Sequence, residues 1–201
     1  MIRLNVIYTR TGDKGESGLG DGTRRSKADP RFAAMGDVDE TNCAVGLARL
    51  MTQGSQDPAL AAIEATLARV QNDLFDLGAD LCLPQAEGEA PGAALRVAAS
   101  QVEAIERAID ALNEKLAPLR SFVLPGGSSA SAALHHARAV CRRAERSVVT
   151  LAGFEGEKVS PAALAYINRL SDYLFVAARA ANGFGADDVL WTPGANQRDG
   201  G

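Results

Sequence analysis

The chain has 201 residues, 46% of them hydrophobic, and a net charge of −4; it is long enough for one well-buried domain and too acidic for a general affinity for nucleic acid. Its three cysteines, Cys43, Cys82 and Cys141, are odd in number and widely spaced, so they read as reduced thiols of a cytosolic protein rather than as a disulfide or metal framework. No apolar run approaches the ~20 residues of a membrane span, and residues 2–8 are too short and interrupted for a signal sequence, so a cytoplasmic protein without membrane contact is expected.

Residues 9–27 do not look like a helix. Gly12, Gly15, Gly18, Gly20 and Gly22 stand among threonines, a serine and basic residues. Glycine lets backbone N–H groups approach and point at an anion, and Lys14, Arg24, Arg25 and Lys27 can add positive charge. A plain surface loop has the same composition. The segment contains neither GxxxxGK[ST] nor GxGxxG, so a nucleotide site here would be neither a P-loop nor a Rossmann loop.

After this arm the pattern turns helical. Asp29-Pro30 supplies an N-cap with proline at the first helical position, opening a helix to about Met51 that ends near Gly54. Asp57-Pro58 opens the second in the same way. Its Leu60, Ile63, Leu67, Val70, Leu74, Leu77 and Leu81 step by three and four, which marks a core-facing stripe. Residues 83–92 form a loop rich in Pro, Gly and Glu. A third helix carries Val102, Ile105, Ile109, Leu112 and Leu116 and stops before Pro118. Phe122-Val123-Leu124-Pro125-Gly126-Gly127 is a short apolar link closed by a turn signal. Ser128 or Ser129 caps a fourth helix that runs to about Leu151. Pro161 opens a fifth, with Leu164, Ile167, Leu170, Leu174 and Ala178 inward and an end at Asn182-Gly183. The tail is polar apart from Val189-Leu190-Trp191. No repeat or linker interrupts this order. The expected fold is all-α: one domain over 1–201, built as an up-and-down five-helix bundle (29–185) with an irregular Gly-rich N-terminal arm (1–28) and a tail (186–201).

The fourth helix carries an unusual charged face. At about 100° per residue, Arg138, Arg142 and Glu145 fall within about 60° of one another, with Arg146 about 40° beyond Arg142. Arg143 points away. A solvated face would account for this pattern, but clustered guanidiniums repel unless an anion or carboxylate neutralises them. On the fifth helix Asn168 and Asp172 sit one turn apart in an apolar run, where they need a ligand or a neighbouring helix as partner. On the first, Asp37, Asp39, Glu40 and Asn42 follow Gly36. Asp39 could pair with an arginine of the fourth helix, in the same chain or another; a solvated acidic turn is the alternative. The only histidines are His135 and His136, for which packing or surface roles are expected. No Ser-His-Asp order, HExxH or GxSxG occurs. A reaction here would run on positioning and electrostatics rather than on a protein nucleophile.

Together these segments resemble the PduO-type ATP:cob(I)alamin adenosyltransferases. The resemblance covers nearly the whole chain. It is carried by Tyr8-Thr9-Arg10-Thr11-Gly12-Asp13-Lys14-Gly15, Leu19-Gly20-Asp21-Gly22, Gly36-Asp37-Val38-Asp39-Glu40, residues 122–127 as quoted, Cys141-Arg142-Arg143-Ala144-Glu145-Arg146 and Asn168-Arg169-Leu170-Ser171-Asp172. Thr41, where the family often has leucine, is a minor departure. The resemblance implies a homotrimer with active sites between subunits, the arm of one meeting the fourth and fifth helices of its neighbour. Thr9, Arg10, Thr11, Gly12, Ser17, Gly18 and Lys27 would line ATP, completed by Arg142, Glu145, Arg146 and Asn168; Arg143 belongs to the same motif and is counted with them. Phe122 would lie under the corrin ring, and Arg138 would pair with Asp39 across the interface. Mg2+ would accompany the triphosphate, held largely by phosphate oxygens and water, with no protein ligand assigned.

The implied chemistry suits these residues. Cob(I)alamin is itself the nucleophile: it attacks C5′ of ATP, and inorganic triphosphate leaves. Arg142 and its neighbours would neutralise the leaving group, and Phe122 would exclude water and the lower axial ligand. A flavoprotein reductase and an adenosylcobalamin-dependent mutase are the protein partners the resemblance implies. Two rival readings stay open from the residues: a small ATP-dependent kinase, told apart by releasing ADP rather than triphosphate, and a non-catalytic ATP-sensing helical oligomer, told apart by binding ATP without corrinoid. The lack of an evident catalytic base argues against the kinase.

Overall fold

The computed structural model describes residues 7–197; residues 2–6 of the stretch weighed as a signal sequence, the start of the arm and the end of the tail, 198–201, lie outside them. A two-stranded antiparallel hairpin, β1 Glu16–Gly18 and β2 Arg24–Ser26, pairs Ser17 with Arg25. Five helices follow: α1 Pro30–Thr52, α2 Pro58–Cys82, α3 Ala99–Asn113, α4 Ser129–Ala152 and α5 Pro161–Ala180. α4 packs between α1 and α5, α2 lies on α1, and α3 lies on α5. The all-α bundle is as expected, and the hairpin adds regular structure to an arm that reads as irregular. No described helix is long and apolar enough to cross a membrane.

The starts of the helices are written in local chemistry. Asp29 accepts from Arg31 N at 2.8 Å and Asp57 from Ala59 N at 2.7 Å, each with proline next in the chain. Ser128 and Ser160 cap α4 and α5, each accepting at 3.1 Å from the backbone three residues on. Each cap satisfies a backbone donor that the helix itself leaves open. α3 has alanine at this position, and the Gln101 side chain reaches back to Ala98 N at 2.8 Å instead. α3 also ends at Asn113, before Leu116; tight turns such as Leu116 N to Asn113 O at 3.0 Å continue the chain.

In α2, Ile63, Leu67, Val70, Leu74, Leu77 and Leu81 are all buried, each stabilising by about 1.5–3 kcal/mol. α4 buries small residues, Ala137, Cys141 and Ala144, which lets α1 and α5 approach it closely. Asp73 joins three helices, accepting from Tyr166 Oη at 3.0 Å and Gln101 Nε2 at 2.8 Å.

The hairpin is fastened to this body. Leu19 is buried, and Gly20 N donates to Cys82 O at 2.9 Å. Arg25 of β2 and the buried Arg31 of α1 both bind Glu157 in the α4–α5 connection, and Arg31 also donates to Leu81 O at 2.5 Å. Burial pushes the Glu157 carboxyl up, but hydrogen bonds from Arg31 and Arg25 outweigh it and hold its pKa below the usual value. Its contribution is therefore complete above the unfolded-state pKa and is lost as pH falls through the lower folded-state one. Glu157→Ala, which leaves Arg31 buried without its carboxylate, is expected to cost about 3–5 kcal/mol at neutral pH by denaturant unfolding. The gap from the parent protein should narrow below about pH 4.

Candidate functional site

The arginine face of α4 forms as its spacing predicts. Arg142 and Arg146 are exposed, Glu145 is half-buried 3.8 Å from Arg142, and Arg146 donates to Arg142 O at 3.0 Å. Arg138, one turn earlier, is half-buried, and its Nε is buried without a hydrogen-bond partner among the described residues. Burial, and then the neighbouring Arg142, push its guanidinium below its ordinary pKa. His135 is fully buried edge-on to Phe175, its ring centroid 6.1 Å away. Burial, and then Arg138, push its pKa down, and neither ring nitrogen has a hydrogen-bond partner among the described residues. Asn168 is exposed on α5. Asp172 is engaged with a neighbouring helix through Arg169, which lies 2.8 Å from Asp172 and 3.0 Å from Glu106 of α3.

Arg143, counted with the nucleotide contacts, is engaged within its own chain. It binds Glu40, and its Nε lies 3.4 Å from Asp37, fastening α4 to α1 of the same chain. The physical reason is the 100° step from Arg142, which turns it toward α1.

In the arm, Thr9 and Thr11 hydroxyls lie 2.9 Å apart, and Arg24 donates to Thr11 O at 2.8 Å. Arg10 has φ +59° and its guanidinium lies 5.7 Å from the Tyr8 ring centroid. Lys27 bends back over Gly12; a Cβ there would stand 3.1 Å from Nζ. Ser17 and Gly18 belong to β1. The structure thus gathers Thr9, Thr11, Gly12 and Lys27 in one group and Arg138, Arg142, Glu145 and Arg146 in another. Among the described residues no hydrogen bond or ion pair joins the two groups.

Asp39 belongs to neither. Asp37 and Glu40 turn toward α4, whereas Asp39 lies about 160° around the helix from Asp37. It is exposed at a hollow of about 300 Å3 between α1 and α2, lined also by Met35, Val38, Leu74, Phe75 and Gly78.

Phe122 is 76% exposed beside an open hollow of about 450 Å3, lined also by Leu119, Ser121, Trp191 and Pro193. Its link is held from two sides. Gly127 has φ +91°, and a Cβ there would meet the Asn182 side chain at 2.4 Å. Asn182 Oδ1 accepts from Ser128 N at 2.9 Å and Nδ2 donates to Gly126 O at 3.2 Å. On the other side the tail pairs with the link: Leu124 N donates to Val189 O at 2.7 Å and Trp191 N to Phe122 O at 2.8 Å. Sequence reading missed Asn182 and Trp191 as supports of the link that carries Phe122. The apolar triplet 189–191 in a polar tail was the available signal.

Residues 7–181 match the family model described as cobalamin adenosyltransferase. The chain is 46% identical over 196 residues to the corrinoid adenosyltransferase of Mycobacterium tuberculosis (strain H37Rv), covering 98% of this chain and 97% of the relative. It is 39% identical over 176 residues to that of Bacillus subtilis, with 88% and 86% covered. A variant PduO-type ATP:corrinoid adenosyltransferase from Lactobacillus reuteri, solved in complex with cobalamin and ATP, superposes with a TM-score of 0.80 at 36% identity, covering 94% of this chain and 97% of that one.

Gly127→Ala is expected to destabilise the link that carries Phe122. A left-handed φ for a side-chain-bearing residue costs about 1–2 kcal/mol, and the contact with Asn182 adds to it. The melting temperature should fall by roughly 4–8 °C in thermal unfolding; an unchanged value would contradict the close packing described.

Proposed function

The chain belongs to the cobalamin adenosyltransferase family, in its PduO-type branch, and transfers the adenosyl group of ATP to cob(I)alamin to form adenosylcobalamin; we propose that it does so in a site built by two subunits of a homotrimer. The observation that carries the subunit assignment is the unmatched pair. Arg138 has a buried Nε without a hydrogen-bond partner among the described residues, and Asp39 faces away from the α4 of its own chain. A half-buried guanidinium left without a carboxylate is costly, and Asp39 of a neighbouring subunit would pair with its accessible side. Exposed apolar side chains on α1 and α2, namely Leu47, Leu50, Met51 and Phe75, offer the surface such an assembly would cover.

In this reading Thr9, Arg10, Thr11, Gly12, Ser17, Gly18 and Lys27 of one subunit would hold ATP against Arg142, Glu145, Arg146 and Asn168 of the next. Cobalt attacks C5′ with its own electron pair, the C5′–O bond breaks, and inorganic triphosphate leaves. The protein's task is to align these three atoms and to neutralise the leaving oxygens. Lys27 and the exposed Arg142 and Arg146 suit that task, whereas Arg143 serves the α1–α4 contact. Phe122 would stand under the corrin ring and keep water and the lower axial ligand from cobalt, which makes cob(II)alamin easier to reduce. Mg2+ would accompany the triphosphate, held mainly by phosphate oxygens and water. A flavoprotein reductase as electron source and an adenosylcobalamin-dependent mutase as acceptor complete the proposal.

Arg142→Ala should keep the assembly and lose about 100-fold or more in turnover with preformed cob(I)alamin; near-parental turnover would reject its role. Asp39→Arg and Arg138→Asp should each weaken trimer formation, and the double exchange should restore it, read by sedimentation. A double exchange no better than either single change would reject the pair.

A further inference from the structure

An exposed phenylalanine on an irregular link has little of its own to fix its rotamer. Here the fixing comes from the C-terminal strip. Val123 and Leu190 form an antiparallel bridge, and hydrogen bonds on either side of it, Leu124 N to Val189 O and Trp191 N to Phe122 O, hold the register. Ser121 Oγ donates to Trp191 O at 2.7 Å. The Trp191 ring stands 6.0 Å from the Phe122 ring, tilted by 55°, within the range of attractive aromatic pairs. The strip is itself anchored: buried Asp188 accepts from Arg179 Nε at 2.8 Å and from Asn182 Nδ2 at 3.3 Å. A buried ion pair at the end of α5 is thereby linked, through three residues of tail, to the ring at the hollow.

We propose that Trp191 is a positioning residue for Phe122: its ring props the phenylalanine in the hollow, so that Trp191 governs the route from cob(II)alamin more than the transfer from cob(I)alamin. This rests on the reading of Phe122 as the residue under the corrin ring. Trp191 is 43% exposed and can be truncated without opening the core.

The test is a double-mutant cycle of Phe122→Ala and Trp191→Ala, with Trp191→Phe as the conservative variant, assayed with cob(II)alamin plus reductant and with preformed cob(I)alamin. Trp191→Ala should lose about tenfold or more in kcat in the first assay and less than about threefold in the second, and Trp191→Phe should recover most of the loss. In the Phe122→Ala background Trp191→Ala should cost nothing further. Trp191 is the only tryptophan, so its emission reports on this ring alone and should shift in Phe122→Ala. Equal losses of Trp191→Ala in both assays, additive losses in the double variant, or unchanged emission would each overturn the proposal. If Phe122→Ala itself loses equally in both assays, the reading of Phe122 falls. The emission shift and the non-additivity then still decide whether Trp191 acts through it.

Discussion

The guanidiniums of Arg138, Arg142 and Arg146 share one flank of α4, where Arg142–Glu145 is their one ion pair among the described residues. Three like charges on about two turns of helix need anions from elsewhere, and much of the site follows from that need. The same helix must also bury Ala137, Cys141 and Ala144 inside its own bundle. It can present only one flank outward, and the next residue around, Arg143, is drawn to the acids of α1. In the proposed assembly the charge that remains unmatched would serve a triphosphate and a neighbouring subunit.

The fold separates what must stay fixed from what must meet a ligand. Capped helix starts and the leucine stripe of α2 make a body in which few polar groups lack partners. The arm is fastened at its hairpin through Leu19, Gly20 and the shared carboxylate of Glu157, while Thr9, Thr11 and Lys27 stay exposed. At the other end, Asn182 and Asp188 lock the link and the tail against each other, so the exposed Phe122 rides on a fixed support. The arginine face is carried on a helix, and the exposed Phe122 on a link fastened from two sides, an arrangement suited to positional catalysis.

Much of this was legible in the sequence because it is local. Asp29-Pro30 and Asp57-Pro58 mark helix starts by chemistry confined to a few residues, and the stripe from Ile63 to Leu81 fixes which side of α2 is buried. The arginine face of α4 follows from a 100° step. What escaped is non-local. Nothing near Glu157 indicates that it serves two arginines more than 120 residues away. The pairing of 122–124 with 189–191, and the fit of Asn182 against Gly127, depend on how α4 and α5 bring those segments together. The 100° step sets Arg143 apart from the Arg142 face but does not say which acids it meets. The motifs pointed to the family, and packing supplied the partners of Arg143, Asp37 and Glu40.

The central claim is that arm and arginine face come from different subunits. Co-assembly of two inactive chains tests it directly, one carrying Lys27→Ala and the other Arg142→Ala. If the site is shared, mixed oligomers contain interfaces in which both contributing halves are intact, about a quarter of all interfaces for random mixing of equal amounts. Turnover of the refolded mixture should then rise toward about a quarter of the parental value while each variant alone stays inactive. A mixture no more active than its separate components would contradict the shared site.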